Sequence, residues 1–95
     1  MTGTVRSSAE LDIRRRRAHF RSWHRGTREM DLILGRFADL ELSRLTLQEL
    51  DQFEALLEVA DTELFKWVTG EKPVLPAYDT PLFARIAKGS RAQQD

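Results

Sequence analysis

The sequence predicts an all-α fold, a small five-helix bundle in which three longer helices pack together and two short ones close the core. Three observations predict it. Apolar residues recur at i, i+3, i+4 and i+7 through much of the chain. The breaks between these runs carry helix caps and stops drawn from Ser, Thr, Gly and Pro. No useful length alternates with a period of two, and no hairpin turn signal occurs. At 95 residues the chain is one domain. That domain is expected over 9–89, between a disordered N-terminus of residues 1–8 and a fraying tail of residues 90–95.

The first helix is expected from about residue 9 to 24, capped by Ser7 or Ser8, with Ile13, Phe20 and Trp23 near one face. Arg14 to Arg17 necessarily point all round it, so at least one lies beside the buried stripe. Arg25-Gly26 breaks the helix, because glycine enters the left-handed region without a side-chain clash. Thr27 then caps a second helix, 28–40, with Glu29 at the positive end of its dipole. Met30, Ile33, Leu34 and Phe37 form its buried stripe, and Gly35 inside it is expected to let another helix approach closely. Thr46 and Glu49 have the spacing of a capping box for a third helix, 47–60, which buries Leu50, Phe53, Leu57 and Ala60, with Leu56 beside them. Asp61 is expected to cap a short fourth helix, 62–69, carrying Leu64, Phe65, Trp67 and Val68 and ended by Gly70. "EKPVLPAYD" reads as an ordered loop. Thr80-Pro81 opens a last helix, 81–88, with Leu82, Phe83 and Ile86, which Gly89 is expected to end.

Composition narrows the function. Without cysteine there is neither a disulfide framework nor a thiolate metal site, and a reducing, cytoplasmic setting fits. No run has the roughly 18 apolar residues of a membrane span. The opening "MTGTVRSSAELD" lacks the apolar core of an export signal, so neither export nor membrane insertion is expected. Fifteen basic and fifteen acidic residues cancel, but unevenly along the chain. Residues 1–30 carry +5 and residues 31–70 carry −6. Such a split either orients a partner or is compensated between packed helices. The first helix and the bend after it are expected to form an exposed basic surface. The acidic half argues against a nucleic-acid coat, which would carry net positive charge.

Catalytic chemistry finds no purchase. His19 and His24 have no serine at a specific spacing, and their i, i+5 separation suits no shared metal on one helical face. No glycine-rich phosphate loop is present. Attention falls instead on "RSWHRGTREMD", Arg21 to Asp31. Helix-ending geometry explains Gly26, Thr27 and Glu29. It does not explain Arg25, whose guanidinium can project beyond the helix end and pair with a carboxylate or a carbonyl. Structural and docking roles both stand for this segment. A small helical regulatory module that binds protein or nucleic acid is the alternative reading.

The segment "RGTREMD" is similar to the Arg-Gly-x-x-Glu motif of the succinate dehydrogenase flavinylation factors. These are the bacterial SdhE proteins and their mitochondrial counterparts, succinate dehydrogenase assembly factor 2. "RSWHRGTREMDLILGRFAD" resembles a bacterial member throughout, and "LLEVADTELFKWVTGEKPV" resembles the family's second block. The resemblance implies a small helical protein that is not an enzyme, and a monomer is expected when it is free. It implies binding to the flavoprotein subunit of succinate dehydrogenase, or of fumarate reductase. It further implies that the factor promotes the covalent attachment of FAD there, an attachment the flavoprotein itself catalyses. No cofactor is expected to stay on the factor, and direct contact with FAD is left open. Carried over by position, Arg25, Gly26 and Glu29 match the motif, Asp31 the acid that often follows, and Arg17 an upstream arginine. Trp23 and His24 fall at positions that vary between family branches and are carried over only as the flank of the expected partner-binding surface. Arg25 would reach acceptors on the flavoprotein, and Glu29 would contact the partner or orient Arg25.

Overall fold

The computed structural model describes the backbone of residues 2–93 and the side chains of residues 12–91. Five α-helices follow in order: α1 (Thr2–Ser22), α2 (Arg28–Glu41), α3 (Leu47–Leu57), α4 (Asp61–Thr69) and α5 (Pro81–Gln93). Short 3-10 turns at Leu42–Arg44 and Pro76–Tyr78 tighten two of the connections. There is no strand among the described residues. α1 lies against α2 and α3, and α5 packs on α2, α3 and α4.

The caps that frame the helices come from the residues the sequence marks. Thr27 accepts from the Met30 N–H at the start of α2. Thr46 and Glu49 form the reciprocal capping box of α3, at 2.9 and 3.1 Å. Thr80 accepts from the Phe83 N–H ahead of α5. Gly70 ends α4 in the left-handed region, at φ 82°. Each satisfies backbone groups that a helix end would otherwise leave unpaired.

The apolar stripes then meet in one core. Met30, Leu34, Leu50, Phe53, Leu56, Leu64, Leu82 and Ile86 are all but inaccessible. Phe37 and Phe53 stack there with ring centroids 5.7 Å apart. Trp67 is buried too, its ring 5.3 Å from Tyr78, so it serves the core rather than a ligand.

Several bounds and contacts differ from the sequence expectation. α1 begins at Thr2, so residues 2–8 are helical rather than irregular, with Ser7 and Ser8 inside the helix. Propagation adds one hydrogen bond per residue, and this outweighs the serines' local capping preference. α3 ends at Leu57 rather than at residue 60, so Ala60, expected in its buried stripe, lies past the helix and is exposed. Asp61 is the first residue of α4, and Ala60 holds the cap position without any side-chain bond. Gly89 does not end α5, which continues through Ser90, a buried residue, to Gln93. Gln94 and Asp95 of the expected tail, and Met1, lie outside the described residues. Phe65 only borders the core. The expected stripe of α1 is the clearest departure: Ile13 is 47% and Phe20 62% exposed, and α1 buries Ala18 and Ser22 instead. Small residues let α1 lie close on its neighbours, and the Ser22 hydroxyl is satisfied by the Ala18 carbonyl at 2.7 Å.

Candidate functional site: the bend between α1 and α2

Gly26 turns the chain with φ 118°, a conformation that side chains rarely tolerate. The bend is anchored from both flanks. On the α2 side, Asp31 in the first turn accepts the Arg25 N–H at 2.6 Å. On the other side, the Arg25 side chain reaches across to the elbow between α3 and α4. Its Nε donates to Asp61 Oδ1 at 2.7 Å, Nη1 to the Leu57 carbonyl at 2.5 Å and Nη2 to the Val59 carbonyl at 2.5 Å. The Arg25 side chain is 9% exposed and that of Asp61 13%.

The sequence of α3 accounts for this geometry. Its last turn holds no basic residue, and Glu58 follows it. The negative end of the helix dipole therefore lacks a local cation, and Arg25 supplies one from the bend. Carbonyls freed by the end of α3 accept the guanidinium fork. The residue pattern left outward and inward pairing of Arg25 open, and the resemblance has it reaching a partner; in the structure its nitrogens are engaged inside the protein.

Glu29 and Gly26 remain exposed. Glu29 and Thr27 line one wall of a small hollow of about 230 Å³, and Asp61, Thr62 and Phe65 line the other. A Cβ on Gly26 would stand 3.4 Å from Asp61 Oδ2, so the glycine backbone passes over that carboxylate.

The flanking residues face elsewhere. Trp23 lies flat on Gly35 of α2, where an added Cβ would be 2.3 Å from the indole ring. The expected close approach at Gly35 is made, by a ring rather than by a helix backbone. The Trp23 indole N–H and His19 Nε2 converge on Asp39 Oδ1, at 3.2 and 2.6 Å. Hydrogen bonds, first from His19 and then from Trp23, hold the Asp39 carboxyl below its ordinary range. His24 stacks on exposed Phe20 with centroids 3.9 Å apart. Arg17 sits in a different hollow, beside Arg21, Asp51, Glu54 and Glu58. The bend thus gathers Arg25, Gly26, Glu29 and Asp31, while Trp23 and His24 share a neighbouring groove and Arg17 stands apart.

The charge split is largely compensated between helices. Arg14 pairs with Glu54 and Asp51, which raise its pKa further, and Arg21 pairs with Glu58. Arg15 donates to the Leu42 and Leu45 carbonyls at 3.1 and 2.8 Å. The expected basic surface is therefore reduced. Arg16, Arg17 and Arg28 are exposed and make no side-chain hydrogen bond or ion pair among the described residues.

Sequence reasoning missed Asp61 as the partner of Arg25, and with it the two carbonyls. The available signal was a third helix ending without a cation, in "ALLEVAD", opposite an arginine with no local role.

The fold and this bend define a small α-helical scaffold whose distinctive feature is a rigid, charged turn. The chain belongs to the family described as "Flavinator of succinate dehydrogenase", which matches residues 16–90. It is 38% identical to the FAD assembly factor SdhE of Acetobacter pasteurianus over 88% of this chain and 77% of the relative. It is 37% identical to the mitochondrial succinate dehydrogenase assembly factor 2 of Lodderomyces elongisporus over 75% of this chain and 43% of that protein. Against the same factor of Debaryomyces hansenii it is 35% identical, over 87% and 58%. The chain thus spans about half the length of these mitochondrial relatives. No solved structure matches it. Among the described residues, no helix is long and apolar enough to cross a membrane.

Proposed function

We propose that the protein is a cytoplasmic assembly factor that binds the flavoprotein subunit of succinate dehydrogenase and promotes its covalent flavinylation. The flavoprotein of fumarate reductase is a second client of the same kind. The observation that carries this reading is the locked bend, which holds Gly26 and Glu29 at the surface in a chain of the flavinator family. The factor acts as a monomer and as a binder rather than a catalyst. FAD and its acceptor histidine belong to the partner, and holding that partner in a competent arrangement is sufficient to speed attachment.

Within this reading the residues divide by role. Gly26 lets the partner's backbone come close, and Glu29 is the charged contact. Arg25 and Asp31 hold the bend from within. Trp23 and His24 form the flank. Arg17, on the side of α1 toward α3, touches a partner only if the partner wraps that helix.

The test is complementation. Cells lacking their own factor receive this chain, and covalent flavin fluorescence of the flavoprotein subunit is read in a denaturing gel, alongside co-purification. Restored fluorescence and a recovered complex are expected with the wild-type chain, and loss of both with Glu29→Arg. Flavinylation that stays at the level of empty cells would sink the proposal.

A further inference from the structure

We infer that Asp61, outside the bend and 36 positions from Arg25, is the positioning residue that sets the shape of the docking surface. This rests on the proposed function. Asp61 meets two residues of the motif at once. Its Oδ1 takes the Arg25 Nε at 2.7 Å, and its Oδ2 lies 3.4 Å from where a Cβ on Gly26 would stand. For its own helix it makes no capping hydrogen bond, since α4 starts from Ala60 with no side-chain cap. An aspartate in the first turn commonly serves its own helix end, and here the carboxylate is directed across to the bend.

The consequence is geometric. One wall of the hollow, Thr27 and Glu29, belongs to α2 and its cap. The other, Asp61, Thr62 and Phe65, belongs to α4. α2 and α4 are not neighbours in sequence, and the Arg25–Asp61 bridge spans between the bend and the start of α4. It therefore sets the width of the hollow and the height of Glu29 above Thr62. The surface met by a partner is composite, and the first turn of α4 is part of it.

A positioning role and a merely stabilising role separate in a double-mutant cycle. Asp61→Ala, Arg25→Ala and the double variant are measured at a temperature where each is folded by circular dichroism, with Asp61→Asn as a milder fourth. Affinity for the purified flavoprotein subunit is expected to fall about 10- to 100-fold in each single variant, the size of loss seen when an outer residue that orients a metal's ligand is removed. The double variant is expected to lose no more than the worse single. In the free protein, the Gly26 and Glu29 amide resonances are expected to move in Asp61→Asn, whereas those of α5 stay in place. Losses that add in the double variant, or affinity unchanged in a folded Asp61→Ala, would overturn the inference. So would Gly26 and Glu29 resonances that do not respond. Failure of the wild-type chain to bind the subunit would instead overturn the proposed function and the affinity arm with it. The amide shifts would then decide the structural link alone.

Discussion

An arginine at a helix end is legible in sequence, but the direction of its side chain is not. Arg25 is the instance on which the site turns. Composition and spacing offered an outward reach and an inward pairing equally, and the end of α3 decided it. A stability consequence follows. Arg25→Ala leaves Asp61 and two carbonyls without their donor in a place that is largely shielded from water. The expected loss is about 2–4 kcal/mol, read as a lower urea midpoint with an unchanged slope. Arg25→Lys keeps the charge but not the three-way fork, and should recover only part of that loss. Gly26→Ala acts through the backbone instead. With φ 118° it should cost about 1–2 kcal/mol. Environments thus differ within one motif: the arginine is held by contacts inside the protein, the glycine takes a positive φ, and the glutamate is exposed.

At the scale of elements, the helices were legible because each carries its own instructions. The Thr27 cap, the Thr46–Glu49 box and the stop at Gly70 act within a few residues, so sequence proximity reveals them. What was not legible depends on neighbours far along the chain. The stripe of α1 is such a case. Ile13 and Phe20 have the right spacing for burial, yet α1 rests on its small residues and on arginines whose partners lie in α3 and after α2. Gly35 joins the two kinds of information. The glycine suggested a close approach, and the structure identifies the Trp23 ring as what approaches. Gly35→Ala should therefore dislodge the indole, which is also tethered to Asp39. The expected cost is about 1–3 kcal/mol, with a red-shifted tryptophan emission. In a Trp23→Ala background the same substitution should cost much less. Equal costs in both backgrounds would show that the ring does not fill this space.

Across the whole molecule, ion pairs tie distant helices together, and they make stability depend on acid. Hydrogen bonding to Arg85 lowers the pKa of Glu41, the Thr46 backbone N–H lowers that of Glu49, and His19 lowers that of Asp39. Each folded-state pKa lies below the unfolded value, so the unfolded chain binds more protons in that window. Stability from these groups is present above the ordinary carboxylate range of about 4 and is lost as the pH falls through and below it. The melting temperature should be level near neutrality and drop on acidification, less steeply for Glu41→Gln. The same long-range wiring reaches the bend. The acceptors of its arginine arrive with residues 57–61, well after the last letter of the motif. A synthetic peptide copying residues 21–31 would carry the whole Arg-Gly-x-x-Glu string and the Asp31 carboxylate, but none of the acceptors that hold the Arg25 side chain. It should fail as a competitor for any partner that the intact protein binds. An inhibitor that mimics this surface would need the elbow of α3 and α4, or a covalent bridge standing in for it.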